Sequence, residues 1–392
     1  MEKLALLGGT PLRSTLLPYA RQSIDAADVA AVSAALTGDW ITQGPSVVRF
    51  EEALAAYAGA AYAVAFANGT AALHAACWAA GLGEGDDAVT TPLTFAATAN
   101  AVVYQGARPL FADIDALTLN IDPDAIKRVA TARTRVMLPV DFAGLPCDYA
   151  ALTAIAREHG WTVIADAAHS LGGAMGDRRV GSLADMTTMS FHPAKMITSG
   201  EGGAVLTNDA RLHERLRRMR HHGIRIADAK RPWRTEIDVP GNNYRLTDFQ
   251  SALGLSQLGK LERFWTARDR LACRYRERLA GSRFLDLPAL PSTMRHGWHL
   301  FVALLRLDRL TADQDTILQA LRAENIGVQL HYPLVYGHPY YRRRFGYERS
   351  LCPVAESVEV RLVTLPLFPT MTNADQDDVL RALDKVFAHY AR

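Results

Sequence analysis

Ser190-Phe191-His192-Pro193-Ala194-Lys195 closes an apolar run that starts near Met186, and Asp166-Ala167-Ala168-His169 closes another, Trp161-Thr162-Val163-Ile164-Ala165. Short apolar runs bounded by turn-formers read as buried strands. Working outward, similar runs lie at residues 63–67, 88–91, 109–112, 136–141, 162–165, 186–191 and 204–207. Helix-like stretches at 71–80, 94–104, 148–159 and 210–221 separate several of them. This alternation predicts an α/β fold, a mostly parallel sheet covered on both faces, in which ligands collect at the carboxyl ends of the strands. Asp166 and Ser190 both fall at such ends.

Past residue 262 the pattern changes. A helix-like stretch at 264–279 leads to a Pro-rich segment at 287–292, an apolar run at 299–305, a helix at 312–325, a basic loop at 340–349 and an amphipathic helix at 373–390. With 392 residues the chain is too long for one small core. The reading is a large domain over residues 1–262, including the N-terminal segment, and a smaller α+β domain over 263–392. A net charge of +2 gives no argument for nucleic acid or an anionic membrane as partner. No apolar run reaches the ~20 residues that span a bilayer, and the apolar core of the first ten residues is too short for a signal peptide; a cytoplasmic protein is expected. Cys77, Cys147, Cys273 and Cys352 are far apart, with no Cys-x-x-Cys pair. They indicate no metal site and no disulfide framework, and are expected to be buried or partly buried thiols.

A lysine able to form a Schiff base and an upstream aspartate on a strand end are what pyridoxal phosphate (PLP) chemistry needs. The Lys195 amine would hold the cofactor as an imine, and partial desolvation would depress its pKa. The Asp166 carboxylate would keep the pyridine nitrogen protonated, so that the ring accepts electrons. A carboxylate at the end of an apolar run needs a partner, because desolvating it alone is costly; a pyridinium N–H and a helix N-terminus are the two candidates. His169 could reach the ring, or could be a surface or capping histidine. Ser190, five residues before Lys195, is placed to bind phosphate, and the turn Ser199-Gly200-Glu201-Gly202-Gly203 permits close backbone approach.

Asn68-Gly69-Thr70-Ala71-Ala72 follows a strand and opens a helix, whose free N–H groups would make a phosphate site; a plain cap supplied by Thr70 is the alternative. Phe95, at the end of another strand, could stack on a cofactor ring or pack in the core. The polar stretch from Gly241 to Gln250 leads into an apolar helix at 251–261. Thr247 or Asp248 could cap that helix, and the stretch before it has the hydrogen-bonding density of a ligand-facing loop.

Together these segments resemble the DegT/DnrJ/StrS family of PLP-dependent sugar aminotransferases, over nearly the whole chain. The matching stretches include Leu7-Gly8-Gly9-Thr10-Pro11, Thr42-Gln43-Gly44-Pro45, Asn68-Gly69-Thr70-Ala71-Ala72-Leu73-His74, Asp166-Ala167-Ala168-His169, Ser190 through Lys195, Gly200-Glu201-Gly202-Gly203, Asn243-Tyr244-Arg245 and His331-Tyr332-Pro333. The resemblance implies a fold-type I, aspartate aminotransferase-like architecture and a homodimer with shared active sites. It implies Lys195 as Schiff-base lysine and proton shuttle, Asp166 at the pyridine nitrogen and His169 by the ring. Thr70 and Ser190 would hold the phosphate with backbone help from Gly69 and Ala71, and Phe95 would stack on the ring. Asn243 would reach the neighbouring subunit's cofactor phosphate, and His331 and Tyr332 would face substrate.

Tyr19-Ala20-Arg21-Gln22-Ser23-Ile24, Asp39 through Pro45, and Trp298-His299-Leu300-Phe301 are similar to the branch acting at C4 of UDP-4-keto-6-deoxy-hexosamines, the pseudaminic acid pathway type. One aromatic, Trp233, stands ahead of the Asn243 loop, and Asn242 stands where an aromatic is common in the family. A dTDP-3-keto sugar or a keto-cyclitol therefore stays open as acceptor. The implied reaction moves an amino group from L-glutamate or glutamine to the keto sugar with ping-pong kinetics. A sugar dehydratase of the same family would carry histidine in place of Lys195. A non-catalytic PLP- or sugar-binding regulator is a rival of another class, with no strongly basic patch to support it. Arg342-Arg343-Arg344 reads as a solvated cluster, or as one that steers a nucleotide diphosphate.

Overall fold

Seven strands form the central sheet, in the spatial order Tyr62–Phe66, Gly203–Thr207, Met186–Ser190, Thr162–Asp166, Thr134–Leu138, Asp87–Thr90 and Arg108–Phe111. The computed structural model describes residues 2–392. From Met186–Ser190 to Arg108–Phe111 every pairing is parallel, and Gly203–Thr207 runs antiparallel to both of its neighbours. All seven expected strands are present. The fourth starts two residues earlier than expected and ends three earlier, at Leu138, because Pro139 has no N–H to continue the ladder.

The period-2 alternation of side chains explains why both faces are covered. Ala63, Ala65, Val89, Met137, Val163, Ala165, Ala204 and Leu206 enter one buried core with the helix Pro45–Ala58. Val64, Phe66, Ala88, Val136, Leu138, Ile164 and Val205 enter a second core with the helices Gly69–Ala79 and Ala97–Tyr104. Each fully buried Val or Ile on these faces contributes about 1.5–3 kcal/mol.

A second, three-stranded sheet takes the order Leu285–Asp286, Phe301–Leu305, Leu362–Leu365. Its middle strand again alternates. Phe301, Ala303 and Leu305 join a core with the helices Leu261–Leu279, Gln314–Ala323 and Asn373–Tyr390. Val302 and Leu304 face a cluster that includes Leu93, Phe111 and Phe142, which ties this sheet to the large one. The long helix Leu261–Leu279 spans both parts, with Leu261 and Phe264 in the first core and Leu271 and Tyr275 in the C-terminal one.

Four expectations need correction. Leu4 and Leu17, grouped with the large domain from the sequence, bury themselves in the C-terminal core. There the fully buried Glu324 carboxylate accepts 2.9 Å bonds from the backbone N–H groups of Ala5 and Leu12. The basic segment at 340–349 is not a loop throughout. Pro339–Phe345 is helical, with Pro339 preset for the first turn, and Tyr341 anchors it by packing among buried aromatics and donating to Asn100. Arg342, Arg343 and Arg344 point outward from it. The helix after Asn68 starts at Gly69 with Asn68 as its cap, so Thr70 is not the capping residue. Cys77, Cys147 and Cys352 are buried, but Cys273 is exposed, on the polar face of its helix.

Candidate active site

Asp166 is the last residue of Thr162–Asp166, and Ser190 the last of the parallel neighbour Met186–Ser190. The shared strand direction thus brings both side chains to the same edge of the sheet. Lys195 follows in a turn whose backbone N–H donates to the His192 carbonyl at 2.8 Å. On the other side of Met186–Ser190, the strand starting at Gly203 presses on Asn68. A Cβ at position 203 would sit 2.5 Å from the Asn68 carbonyl oxygen, so only glycine lets the two chains meet. Gly69 is less tight but still close: a Cβ there would lie 3.0 Å from Ser190 Cβ and 3.2 Å from its Oγ. The N–H groups of Gly69 and Thr70 and the Ser190 hydroxyl therefore form one small cradle, while the Ala71 N–H is taken by the Asn68 side chain at 2.8 Å.

These groups open on a cavity of about 890 Å³. Gly69, Thr70, Ala71, Phe95, Asp166, His169, Ser190, Lys195, His331 and Tyr332 all line it. Asn243 does not: it is exposed, away from the cavity of its own chain, while the next residue, Tyr244, does line it. Phe95 is 60% exposed, which removes the core-packing alternative. His169 is buried, so it is neither a surface nor a capping residue. Thr247 caps the helix Asp248–Leu258 through a reciprocal box with Gln250. Asp248 instead accepts bonds from the Gly44 and Ser46 N–H groups, at 2.6 and 2.9 Å. A second cleft, about 950 Å³ and lined by Gln43, Glu51, Arg220 and Arg245 among others, contains none of the expected site residues.

The electrostatics follow from burial. Asp166 accepts from Thr98 Oγ1 at 2.7 Å and from the Ala168 N–H at 3.2 Å. Desolvation raises its pKa, and those two bonds and the Lys195 charge pull against the rise. Its hydrogen-bond partners among the described residues are both neutral, so no cation is hydrogen-bonded to this buried carboxylate, and the Lys195 charge acts on it across the cavity. Desolvation pushes the Lys195 amine down to about 8, with Asp166 opposing. His169 Nε2 is 3.1 Å from the Tyr332 hydroxyl, and its ring packs 4.4 Å from that of His299. Both imidazoles lie well below their ordinary pKa, first from desolvation and then from the Lys195 charge. Both are therefore neutral at pH 7.

This donor set fits PLP. The cradle at Gly69, Thr70 and Ser190 suits a phosphate, the Asp166 carboxylate, hydrogen-bonded only by neutral groups, suits a pyridinium N–H, and Lys195 lines the same cavity. Beyond these residues the cavity wall is aromatic, with Tyr19, Phe95, Tyr104 and Tyr332. Tyr19 arrives from the N-terminal segment and stacks at a tilt 5.1 Å from His331.

Thr98 and His299 were not singled out as site residues from the sequence. Thr98 sits four residues after Thr94, one helical turn on, and Thr94 and Thr98 share a 2.8 Å hydroxyl bond; that spacing was the available signal. His299 opened an apolar run and belonged to a quoted stretch, but nothing local linked it to Lys195.

Residues 22–384 match the DegT/DnrJ/EryC1/StrS aminotransferase family. The chain is 38% identical over 377 residues to the spore coat polysaccharide biosynthesis protein SpsC of Bacillus subtilis, covering 95% of this chain and 97% of SpsC. Among solved structures, Helicobacter pylori PseC, an aminotransferase involved in the biosynthesis of pseudoaminic acid, superposes with a TM-score of 0.90 at 30% identity, covering 96% of this chain and all of PseC. DesI, solved in the presence of its TDP-sugar product, gives a TM-score of 0.88 at 30% identity, over 98% of this chain and 96% of DesI.

Proposed function

Because this chain belongs to the DegT/DnrJ/EryC1/StrS aminotransferase family and is a PLP-dependent sugar aminotransferase, we propose that it moves an amino group from L-glutamate or glutamine to a nucleotide-linked keto sugar, at C4 of a UDP-4-keto-6-deoxy-hexosamine. The observation that carries this reading is that Tyr19, Phe95 and Tyr332 line the same cavity as Lys195, since flat ring faces suit the apolar face of a deoxy sugar. The likeness to PseC supports a C4 acceptor, and the likeness to DesI keeps a TDP-linked sugar as the second reading.

When bound, PLP supplies an electron sink for the carbanion at the reacting carbon. The protein's residues do the rest. Asp166 holds the ring nitrogen cationic through an ion pair inside a desolvated site. Gly69, Thr70 and Ser190 would anchor the phosphate, and Phe95 and His169 would flank the ring. Lys195 Nζ takes the α-hydrogen of the amino donor as a proton, and later delivers a proton to the sugar carbon that receives nitrogen. An amine with a pKa of about 8 exchanges protons readily in both directions near neutral pH.

Asn243 is exposed and outside its own cavity, which supports a homodimer in which it serves the neighbouring active site. Among the described residues no helix is long and apolar enough to cross a membrane. The four free thiols support a reducing, cytoplasmic compartment.

The deciding experiment is a pair of half-reactions. PLP-loaded protein is converted with L-glutamate, and a panel of UDP- and dTDP-keto sugars is then added while the absorbance of the lysine-linked cofactor is followed. Return of that absorbance with a UDP-4-keto sugar establishes the assignment. Return with a dTDP sugar alone replaces it by the second reading. Loss with glutamate and return with no sugar moves the acceptor to keto-cyclitols.

A further inference from the structure

Lys195 Nζ lies 3.4 Å from Nε2 of His299, a side chain that is 3% exposed. The other ring nitrogen of His299, Nδ1, is buried with no hydrogen-bond partner among the described residues, and so is Nδ1 of His169. An unpartnered buried N–H is rarer and more costly than an unpartnered lone pair. Both rings therefore carry hydrogen on Nε2 and leave Nδ1 bare. His169 then donates from Nε2 to the Tyr332 hydroxyl, and His299 points an N–H at Lys195.

The His299 backbone is held for this purpose. Arg268, buried at 1% exposure, donates from Nη1 to the Trp298 and Leu367 carbonyls at 3.1 and 2.8 Å, and to the His299 carbonyl at 3.4 Å. The guanidinium thus ties the segment just before the strand Phe301–Leu305 to the helix Leu261–Leu279.

We infer that His299 is a positioning residue for Lys195, its Nε2–H donating to the lysine nitrogen so that the displaced amine is held uncharged and in place between its engagements with the cofactor. A donor aimed at Nζ favours the amine over the ammonium, because an ammonium has no lone pair to accept it. The charged and titratable groups around the pair are Asp166, His169 and His331 on the Lys195 side, and Arg268, His169 and His331 on the His299 side. All three imidazoles are pushed down by burial, so Asp166 is the one group that favours the ammonium. The inference rests on Lys195 as the cofactor lysine and is independent of which sugar is aminated.

The test reads Lys195 itself. Full-length protein is stripped of PLP, and Lys195 is trace-labelled with acetic anhydride across pH 6–11, with the labelled peptide quantified by mass spectrometry. In His299→Leu the midpoint of Lys195 reactivity moves upward by about one pH unit, the loss expected for one hydrogen bond. In His299→Gln, whose amide can still donate, the midpoint stays within about half that distance of wild type. A role in packing alone predicts the opposite for His299→Leu: a more apolar surrounding disfavours the ammonium and moves the midpoint down. A downward or absent shift overturns the inference. A thermal melt of each variant selects those that fold, and His299→Met, which also lacks a donor, carries the same test if the leucine variant does not fold. With PLP added back, the pH dependence of cofactor uptake moves in the same direction. No sugar enters the assay, so failure of the proposed acceptor leaves it untouched.

Discussion

Thr98 donates to Asp166 Oδ2 at 2.7 Å across 68 residues of sequence, and Thr94 lies 2.8 Å behind it. A hydroxyl carries one hydrogen, so Thr94 donates to Thr98 and Thr98 to the carboxylate. This short chain opposes the upward push that burial gives the Asp166 pKa. It sits at the start of the helix Ala97–Tyr104, and the exposed Phe95 ring stands just ahead of that helix.

Thr98→Val removes the donor and keeps the shape. A hydrogen bond to a charged group is worth about 1.5–3 kcal/mol, so PLP affinity is expected to fall by about tenfold or more, with a smaller loss for Thr94→Val. Titration of the stripped protein with PLP measures both. Equal affinity in Thr98→Val and wild type would show that Asp166 needs no such support.

Gly69→Ala crowds the phosphate cradle against Ser190. Alanine gains about 1 kcal/mol of helix propensity over glycine, so the fold is expected to keep its melting temperature or raise it slightly. Affinity for PLP should drop about tenfold while affinity for pyridoxal, which lacks the phosphate, stays level. A parallel loss for both ligands would move the phosphate site elsewhere.

Glu324→Ala breaks a buried network. The carboxylate holds the Ala5 and Leu12 N–H groups and pairs with Lys385 at 2.9 Å. Leaving the Lys385 charge without its partner costs about 3–5 kcal/mol. Urea denaturation should show that loss, and limited proteolysis should cut first near residues 5–12. Because Tyr19 follows on the same segment and lines the cavity, KM for the sugar should rise more than kcat falls.

Lys195 makes stability depend on pH in a defined direction. Its folded pKa is about 8, against about 10.5 when unfolded. Below pH 8 the folded state carries an ammonium that burial disfavours, and that cost is relieved as pH rises from about 8 to 10.5. Lys195 lines an open cavity where solvent screens the charge, so the cost is about 2 kcal/mol rather than the full value of the shift. Stripped Lys195→Met should therefore be more stable than stripped wild type at pH 7, and the gap should close by about pH 10.5. A gap independent of pH would assign the difference to packing.

Acid should act through the histidines. His331 is pushed down to about 4 and His296 to about 3, both by burial, with His169 and His299 well below the usual range. Each binds a proton in the unfolded chain before it does so in the folded one. Stability is expected to fall as pH drops from about 6.5 towards 4, by about 1.4 kcal/mol per pH unit for each imidazole in its window. His331→Asn should lessen the slope measured by denaturation at pH 4–7.

Much of this protein was legible because its signals are local. The strand Thr162–Asp166 and the strand Met186–Ser190 are apolar runs that end in a polar residue, and parallel pairing makes those ends neighbours. Lys195, Asp166, the glycine-opened helix at Asn68 and the ring of Phe95 all lie within a few residues of such ends. Their convergence on one cavity could be expected from the order of residues alone. The cap at Asn68 was misjudged because serine, threonine and asparagine compete for that position, and only the backbone angles select among them.

The rest depended on contacts between distant segments. Nothing near Leu4 or Leu17 says that they fill the C-terminal core, since burial in one core or another leaves the same apolar letter in the sequence. Tyr19, His299, His331 and Tyr332 reach the cavity from the N-terminal segment and the second sheet, at separations that no short-range periodicity encodes. The residue types and local order of the chain therefore determined the fold class and the cofactor chemistry. The packing of its two ends against the large sheet decided the shape of the acceptor side of the cavity and the imidazole that faces Lys195.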